Sequence, residues 1–160
     1  MAGTLTFDLP DMATTLSLAA RLSDALQPGD TVLLDGPVGA GKSALARGVI
    51  QHRMAAFGVI EDVPSPTFTL VQTYALRDVE IWHADLYRLT SVAEVFELGL
   101  EDAFADAICL VEWPDRLGAL TPEDALTVTL TPTDDDRRML SLEWTAPRWN
   151  SVVEAVQGVG

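Results

Sequence analysis

The sequence of 160 residues predicts a three-layer α/β fold, in which helices cover both faces of a mixed, mostly parallel sheet. Two continuous apolar runs, residues 31–35 and 107–113, are typical of parallel strands that are buried on both faces. Strand-like and helical segments alternate through the first two-thirds of the chain, which is the pattern of a parallel sheet. Two pairs of strand-like segments joined by short turns add antiparallel hairpins.

Seven segments have the alternation or the apolar, β-branched composition of strands. They are residues 4–8, 31–35, 67–74, 79–84, 107–113, 125–131 and 139–144. The third and fourth segments are expected to pair as one hairpin, and the last two as another. The turn of the last hairpin contains the acidic run 134–136, which predicts a solvated tip.

Four segments predict helices. They are residues 11–26, 43–57, 91–99 and 149–157. In the first, the apolar residues follow a loose helical spacing, at Met12, Leu16, Ala19, Ala20 and Leu26. The third begins with a capping box formed by Ser91 and Glu94.

Composition limits the classes of function. The chain carries 24 acidic and 10 basic residues, a net charge of −14, which disfavours direct, non-specific binding to nucleic acid. The single cysteine, Cys109, cannot form an intramolecular disulfide and lies in an apolar run. Charged residues throughout the first thirty positions argue against a signal peptide or a membrane span. These features predict a soluble, cytoplasmic protein with one domain over residues 1–160.

A phosphate-binding loop follows the 31–35 strand. Residues 36–43 read GPVGAGKS and match the pattern G-x-x-x-x-G-K-[ST], which predicts a P-loop NTPase fold. Its glycines allow backbone N–H groups to surround phosphates, Lys42 would reach the β- and γ-phosphates, and the Ser43 hydroxyl would bind Mg²⁺. Lys42 is the only lysine in the chain. The predicted nucleotide-binding residues are Gly36, Pro37, Val38, Gly39, Ala40, Gly41, Lys42, Ser43, Ala44 and Trp113.

A P-loop enzyme also needs a carboxylate near the metal, usually at the end of an apolar strand. Two residues qualify, Glu112 after the run ICLV and Asp85 after IWHA. His83 lies two residues before Asp85, so both side chains would face the same side of a strand. The histidine and aspartate could act as a general-base pair, or the histidine could simply be hydrogen-bonded in place.

Three classes of P-loop protein compete for this pattern. A small-molecule kinase needs a lid, commonly rich in arginine, and the chain shows no insertion of that length. A guanine-selective switch would need an N-K-x-D motif, which a chain with Lys42 as its only lysine cannot contain. A nucleotide-dependent adaptor without hydrolysis would need neither Asp85 nor Glu112. The ATPase, the kinase and the adaptor stay open.

Taken in order, the motifs resemble the TsaE family, also called YjeE, over about residues 5–145. The P-loop is followed by SPTFTLV at 65–71, HADLYR at 83–88, LGLED at 98–102 and LVEWP at 110–114. The resemblance implies a protein that binds Mg-ATP or ADP and hydrolyses ATP slowly in bacterial tRNA threonylcarbamoyladenosine (t6A) biosynthesis. It implies association with the TsaB–TsaD pair, which the ATPase resets for repeated turnover, and contact with tRNA only through those partners.

The resemblance also implies roles for particular residues. Lys42 would bind phosphate, Ser43 and Glu112 would hold Mg²⁺, and Asp85 would be the acid required for hydrolysis. Thr67 and Thr69 would belong to a switch-like loop near the γ-phosphate, and Trp113 would lie beside the nucleotide. The chain departs from the family's usual residues in having Pro37-Val38 in place of Asp-Leu and Ser43 in place of Thr.

Overall fold

The computed structural model describes residues 3–59, 61–77, 79–133 and 137–157, so the predicted tip at 134–136 lies outside the described residues. The described part contains seven strands, five α-helices and one 3₁₀ helix (Pro114–Leu120). The strands are β1 (Gly3–Leu9), β2 (Thr31–Asp35), β3 (Val71–Ala75), β4 (Glu80–Asp85), β5 (Ile108–Glu112), β6 (Leu126–Pro132) and β7 (Arg138–Trp144). The helices are α1 (Met12–Ala25), α2 (Lys42–Ala55), α3 (Val92–Glu97), α4 (Leu100–Asp106) and α5 (Trp149–Val156).

All seven strands form one mixed sheet in the order β1-β7-β6-β2-β5-β4-β3. The pairs β2–β5, β2–β6 and β4–β5 are parallel and form the centre. The pairs β3–β4, β6–β7 and β1–β7 are antiparallel, and β1 and β3 are the edge strands. The predicted fold class, including both hairpins, is confirmed.

Helices cover the two faces of the sheet, as predicted. One apolar cluster joins α1, α2 and α5 to a face of the sheet through residues such as Leu18, Val49 and Trp149. The other face packs against α3, α4 and the 3₁₀ helix through residues such as Leu100 and Leu117. The central strands are therefore buried on both sides, which explains the continuous apolar sequences of β2 and β5.

The apolar spacing in α1 coincides only in part with the buried face of the helix. Met12 and Leu16 are 56% and 47% exposed, whereas Ala19 and Leu26 are buried. The buried residues of α1 are Thr15, Leu18, Ala19, Leu22 and Ser23, a stripe at helical spacing that includes two hydroxyl residues. Ser23 tolerates burial because its hydroxyl donates a 2.8 Å hydrogen bond to the Val49 carbonyl. Apolar character alone therefore identified only part of the buried stripe.

Three other elements differ from the prediction. The third strand begins at Val71 rather than at residue 67, because residues 66–69 form a turn that ends at Leu70 in the left-handed region (φ 70°). Helix α4 and the 3₁₀ helix were not predicted. Gly99 ends the turn after α3 with φ 82° and is at the same time the N-cap of α4, so one glycine separates two short helices.

Helices α1 and α2 cross closely at Gly48. A Cβ added there would lie 2.9 Å from the Ala19 Cβ, a rigid methyl group that cannot rotate away. Gly48→Ala should therefore lower the free energy of unfolding by about 1 kcal/mol, because overpacking of about 1–3 kcal/mol exceeds the gain in helix propensity of about 1 kcal/mol. Urea denaturation measures the change. The double variant Ala19→Gly/Gly48→Ala should lose less unfolding free energy than the two single variants lose in sum. A Gly48→Ala protein that is more stable than wild type would contradict the prediction.

Candidate functional site

The glycine-rich loop connects the carboxyl end of β2 to the first turn of α2. Gly36 has φ 140°, and a Cβ at this position would lie 2.4 Å from the carbonyl oxygen of Leu130, so only glycine fits. Gly41 has φ 103° and is the N-cap of α2. The loop therefore directs the amino end of α2, where backbone N–H groups are unpaired, toward the edge of the sheet.

Two carboxylates lie beside this loop because β4 and β5 are parallel and end together. Asp85 and Glu112 are register partners, and their exposed fractions are only 5% and 2%. The Ser43 hydroxyl on α2 lies 2.9 Å from Glu112 Oε1 and 3.0 Å from Oε2. The structure thus brings the predicted metal ligands Ser43 and Glu112 into direct contact, with Asp85 on the adjacent strand.

Lys42 points into the same region and is 95% buried. Its ammonium group donates a 2.5 Å hydrogen bond to the Gly36 carbonyl and lies 3.5 Å from the centroid of the Trp113 ring. Burial lowers the pKa of Lys42, and the charges of Glu112 and Asp85 oppose that shift. The ammonium is therefore incompletely compensated by the protein, which favours an anionic ligand.

Trp113 follows Glu112 directly and forms the apolar wall of the site. It adopts the left-handed conformation (φ 60°, ψ 56°), which is uncommon for a non-glycine residue. Its backbone N–H donates to the Leu34 carbonyl at 3.3 Å, and its ring lies 4.8 Å from that of Tyr87. This backbone turn places the indole over Lys42 rather than continuing β5.

The segment 66–70 closes the site on the side of Asp85. Thr67 donates a 3.1 Å hydrogen bond to Asp85 Oδ2, and the backbone N–H of Tyr87 donates to Oδ1 at 3.0 Å. The backbone N–H of Asp85 in turn donates to the Leu70 carbonyl at 2.9 Å. The structure therefore brings Thr67 to Asp85. Thr69, in contrast, is exposed, and its hydroxyl accepts a hydrogen bond from Gln72.

These groups line a cavity of about 400 Å³. Its lining residues are Val38, Gly39, Gly41, Lys42, Ser43, Ala44, Thr67, Asp85, Tyr87, Glu112 and Trp113. Three residues of the predicted nucleotide site do not line it, namely Gly36, Pro37 and Ala40. Gly36 offers its carbonyl to Lys42, while the Pro37 carbonyl accepts from the Ala40 N–H at 3.1 Å and so shapes the loop from outside the cavity.

A second groove of about 220 Å³ shares Gly41 and Ala44 with the first. Its lining residues are Asp11, Met12, Thr15, Ala40, Gly41, Ala44, Leu130 and Arg138. Arg138 holds the loop from this side by donating to the carbonyl of Ala40 at 3.0 Å and to that of Gly39 at 3.4 Å. Sequence reasoning missed Asp11, Met12 and Arg138, because α1 and β7 are distant from the loop in sequence and approach it only in the folded chain.

Among the described residues, no group of three or more His, Cys, Asp or Glu side chains could hold a metal ion alone. The pair of Ser43 and Glu112 offers hydroxyl and carboxylate oxygens, the ligand types that Mg²⁺ prefers, and Mg²⁺ usually takes its other ligands from phosphates and water. The donor set therefore fits a magnesium ion that is bound together with a nucleotide. Within the described ranges, no helix is long and apolar enough to cross a membrane.

A glycine-rich loop between a buried parallel strand and a helix, with acids at the ends of the neighbouring strands, defines the fold of the P-loop NTPases. Over residues 9–140 the chain matches the family model described as threonylcarbamoyl adenosine biosynthesis protein TsaE. The chain belongs to the TsaE family, and the resemblance of its motifs is confirmed.

Individual relatives agree with this assignment. The tRNA threonylcarbamoyladenosine biosynthesis protein TsaE of Rickettsia felis is 39% identical over 128 residues, which cover 80% of this chain and 73% of the relative. The protein of the same name from Haemophilus influenzae is 36% identical over 141 residues, covering 84% and 87%. The crystal structure of Bacillus subtilis YdiB has the same fold, with a TM-score of 0.76 and 23% identity over 99% of this chain and 97% of that chain.

Proposed function

We propose that this chain is an ATPase of tRNA threonylcarbamoyladenosine modification, which binds Mg-ATP and acts with the TsaB–TsaD complex to permit repeated turnover. The observation that carries the proposal is the convergence of Lys42, Ser43, Asp85 and Glu112 on one cavity in a chain of the TsaE family. We further propose that residues 1–160 act as a single ATPase domain, since Trp149 and Val152 of α5 belong to the same core as α1 and α2. We place this domain in the cytoplasm as part of the same proposal.

ATP would occupy both grooves. The phosphates fit the cavity at the amino end of α2, where backbone N–H groups and the dipole of the helix favour negative charge. Lys42 would exchange the Gly36 carbonyl for phosphate oxygens. The adjoining groove would bind the adenosine, because its lining combines apolar side chains such as Met12 with polar ones such as Arg138.

The magnesium ion would be held by Ser43 and Glu112. When bound, it supplies positive charge for the β- and γ-phosphates, as in other P-loop NTPases. Ser43 can bind a cation through an oxygen lone pair while its O–H donates a hydrogen bond to Glu112, so the contact already present between these two groups suits both roles.

Asp85 is the residue that we propose for activation of water. Among the described residues, each of its carboxylate oxygens accepts one hydrogen bond, from Thr67 or from the Tyr87 N–H, and therefore retains a free lone pair. Its carboxylate would orient or deprotonate the water that attacks the γ-phosphorus. The water oxygen forms the new bond, the bond from the γ-phosphorus to the bridging oxygen breaks, and the products are ADP and inorganic phosphate.

The site by itself supplies little positive charge for the reaction. Lys42 is the only cationic side chain among the residues that line the cavity in the described structure. Charge that develops on the transferring phosphoryl group is therefore poorly compensated, and slow hydrolysis by the isolated protein follows. We propose that the TsaB–TsaD complex completes the site, and that tRNA is held by those partners because this chain carries a net charge of −14.

The surface at and beside the cavity suits protein contact. Val38 and Phe68 are 75% and 83% exposed, and Tyr87 is 47% exposed, although all three are apolar or aromatic. Exposed aromatic side chains beside a site are typical of protein–protein contacts.

Phe68→Ser should raise the TsaB–TsaD concentration required for half-maximal ATP turnover by about 30-fold, the loss of roughly 2 kcal/mol expected for an aromatic anchor. Turnover by the isolated variant should stay within about twofold of wild type. Phe96→Ser is the matched control, since Phe96 is 61% exposed but lies on α3, whereas Phe68 directly follows Thr67, which lines the cavity. Equal effects of the two substitutions would exclude a partner surface at Phe68.

The experiment that tests the proposal is steady-state ATP turnover with Mg²⁺, measured for the chain alone and with purified TsaB and TsaD. Slow turnover that increases, or becomes coupled to tRNA modification, when both partners are present is the expected result. Tight ATP binding with no turnover in either condition would instead establish a nucleotide-dependent adaptor. Phosphoryl transfer to a small acceptor, unaffected by the partners, would establish a kinase.

A further inference from the structure

His83 is a buried polar residue to which the proposed reaction gives no role. It lies on β4, is 1% exposed, and its Nε2 atom is 2.7 Å from Glu112 Oε2 on β5. No described residue offers a partner to its other ring nitrogen, Nδ1, which is also buried. Among the described residues, Glu112 is therefore the only hydrogen-bond partner of the His83 ring.

The donor in this hydrogen bond follows from the chemistry of the two groups. An ionised carboxylate can only accept, so Nε2 carries the hydrogen. A second proton on Nδ1 would leave a charged N–H buried without an acceptor, which is more costly than an unpaired ring lone pair. The geometry therefore fits a neutral imidazole whose Nε2–H donates to Glu112.

This contact sets the rotation of the Glu112 carboxylate. Oε2 is held by His83 from the strand side, and the carboxylate meets the Ser43 hydroxyl from the helix side. Three side chains from β4, β5 and α2 thus form one continuous chain of hydrogen bonds. Without His83, the carboxylate could turn about its terminal torsion, which is a broad and weakly restricted one.

We propose that His83 is the positioning residue for Glu112, holding its carboxylate in the orientation that binds a divalent cation together with Ser43. The inference rests on the proposed function, because it requires a cation–nucleotide complex in the cavity. Packing alone does not account for a histidine here, because an apolar side chain could fill the same space without burying an unpaired polar atom such as Nδ1. Residues that orient metal ligands in this way typically change metal affinity by about 10–100-fold when they are replaced.

The test measures how strongly Mg²⁺ and nucleotide assist each other's binding, without relying on activity. Calorimetry with a non-hydrolysable ATP analogue gives its Kd with Mg²⁺ and with EDTA, and the ratio of the two is the coupling. His83→Leu should reduce this ratio about tenfold or more. His83→Gln, whose amide N–H can reach the position of Nε2, should restore it to within about threefold of wild type.

Ile81→Val is the matched control. Ile81 is fully buried two residues earlier on the same strand and has no polar contact with Glu112, so the substitution should lower stability by about 1 kcal/mol and leave the coupling unchanged. Should His83→Leu fail to fold, His83→Asn provides the same comparison, because its shorter amide cannot reach Glu112.

The possible outcomes separate this inference from the proposed function. Loss of coupling in His83→Leu or His83→Asn, with recovery in His83→Gln, supports the positioning role. A wild-type chain that couples Mg²⁺ to nucleotide, with variants that couple equally well, would overturn the role of His83 and leave the proposed function intact. A wild-type chain that binds no nucleotide in either condition would overturn both.

Discussion

Lys42→Met should strongly reduce ATP binding and turnover while leaving the fold at least as stable as wild type. The ammonium of Lys42 is the only side-chain cation that lines the cavity in the described structure, so its loss removes the charge-assisted hydrogen bonds to the phosphates. We expect kcat/KM to fall by about 10²–10³-fold, which is the usual effect of losing one hydrogen-bond donor that stabilises negative charge in the transition state. Nucleotide titration and steady-state turnover provide the measurement.

The expected sign of the stability change follows from the pKa of Lys42. Burial lowers this pKa, so the folded chain holds the proton less tightly than the unfolded chain does. Charged Lys42 therefore costs folding free energy at neutral pH, and a methionine of similar shape removes that cost. The midpoint of thermal unfolding should not decrease. A clear decrease would mean that Lys42 stabilises the fold, and the loss of binding could then be structural.

A second substitution controls for overall charge. Arg77 is exposed in the turn between β3 and β4, at the opposite end of β4 from Asp85. Arg77→Met removes the same formal charge from a strongly acidic chain, and we expect ATP affinity to change by less than about twofold, because an exposed charge beyond about 10 Å is largely screened. A similar loss in both variants would attribute the effect to net charge rather than to the loop.

The phosphate loop could be predicted from sequence because its determinants are contiguous. Glycines, lysine and serine at fixed spacing, between an apolar strand and a helix, specify both the backbone and the chemistry. Glu112 and Asp85 could also be predicted from sequence, since the carboxyl ends of parallel strands meet at one edge of a sheet. The structure adds that both are buried, and that Glu112 contacts Ser43 directly.

The remaining parts of the site depend on contacts between distant segments. Arg138 reaches the loop because β7 lies beside β6 and β6 beside β2, an order that local patterns do not specify. The left-handed backbones of Leu70 and Trp113 are imposed by the surrounding chain, against the ordinary preference of both residues. The partner of His83 was equally hidden, because sequence placed the histidine beside Asp85 while the structure pairs it with Glu112.

Asp85→Asn should separate nucleotide binding from hydrolysis. Asparagine retains the shape and an acceptor oxygen, so the hydrogen bonds from Thr67 and the Tyr87 N–H can largely be kept and the 66–70 segment stays in place. It cannot take a proton from water. We expect the Kd for Mg-ATP to stay within about threefold of wild type and kcat to fall by about 10²–10³-fold, the range for a lost general base.

The matched control for Asp85→Asn is Asp115→Asn. The Asp115 carboxylate acts on Lys42 through its charge, yet it is mostly exposed and does not line the cavity. If Asp85 acts on water, only its substitution reduces kcat, and both variants bind Mg-ATP. If Asp85 instead holds the metal or the 66–70 segment, binding and turnover fall together in Asp85→Asn. Because Thr67 and Tyr87 leave a lone pair free on each Asp85 oxygen, the geometry favours the first result, in which binding survives and the chemical step is lost.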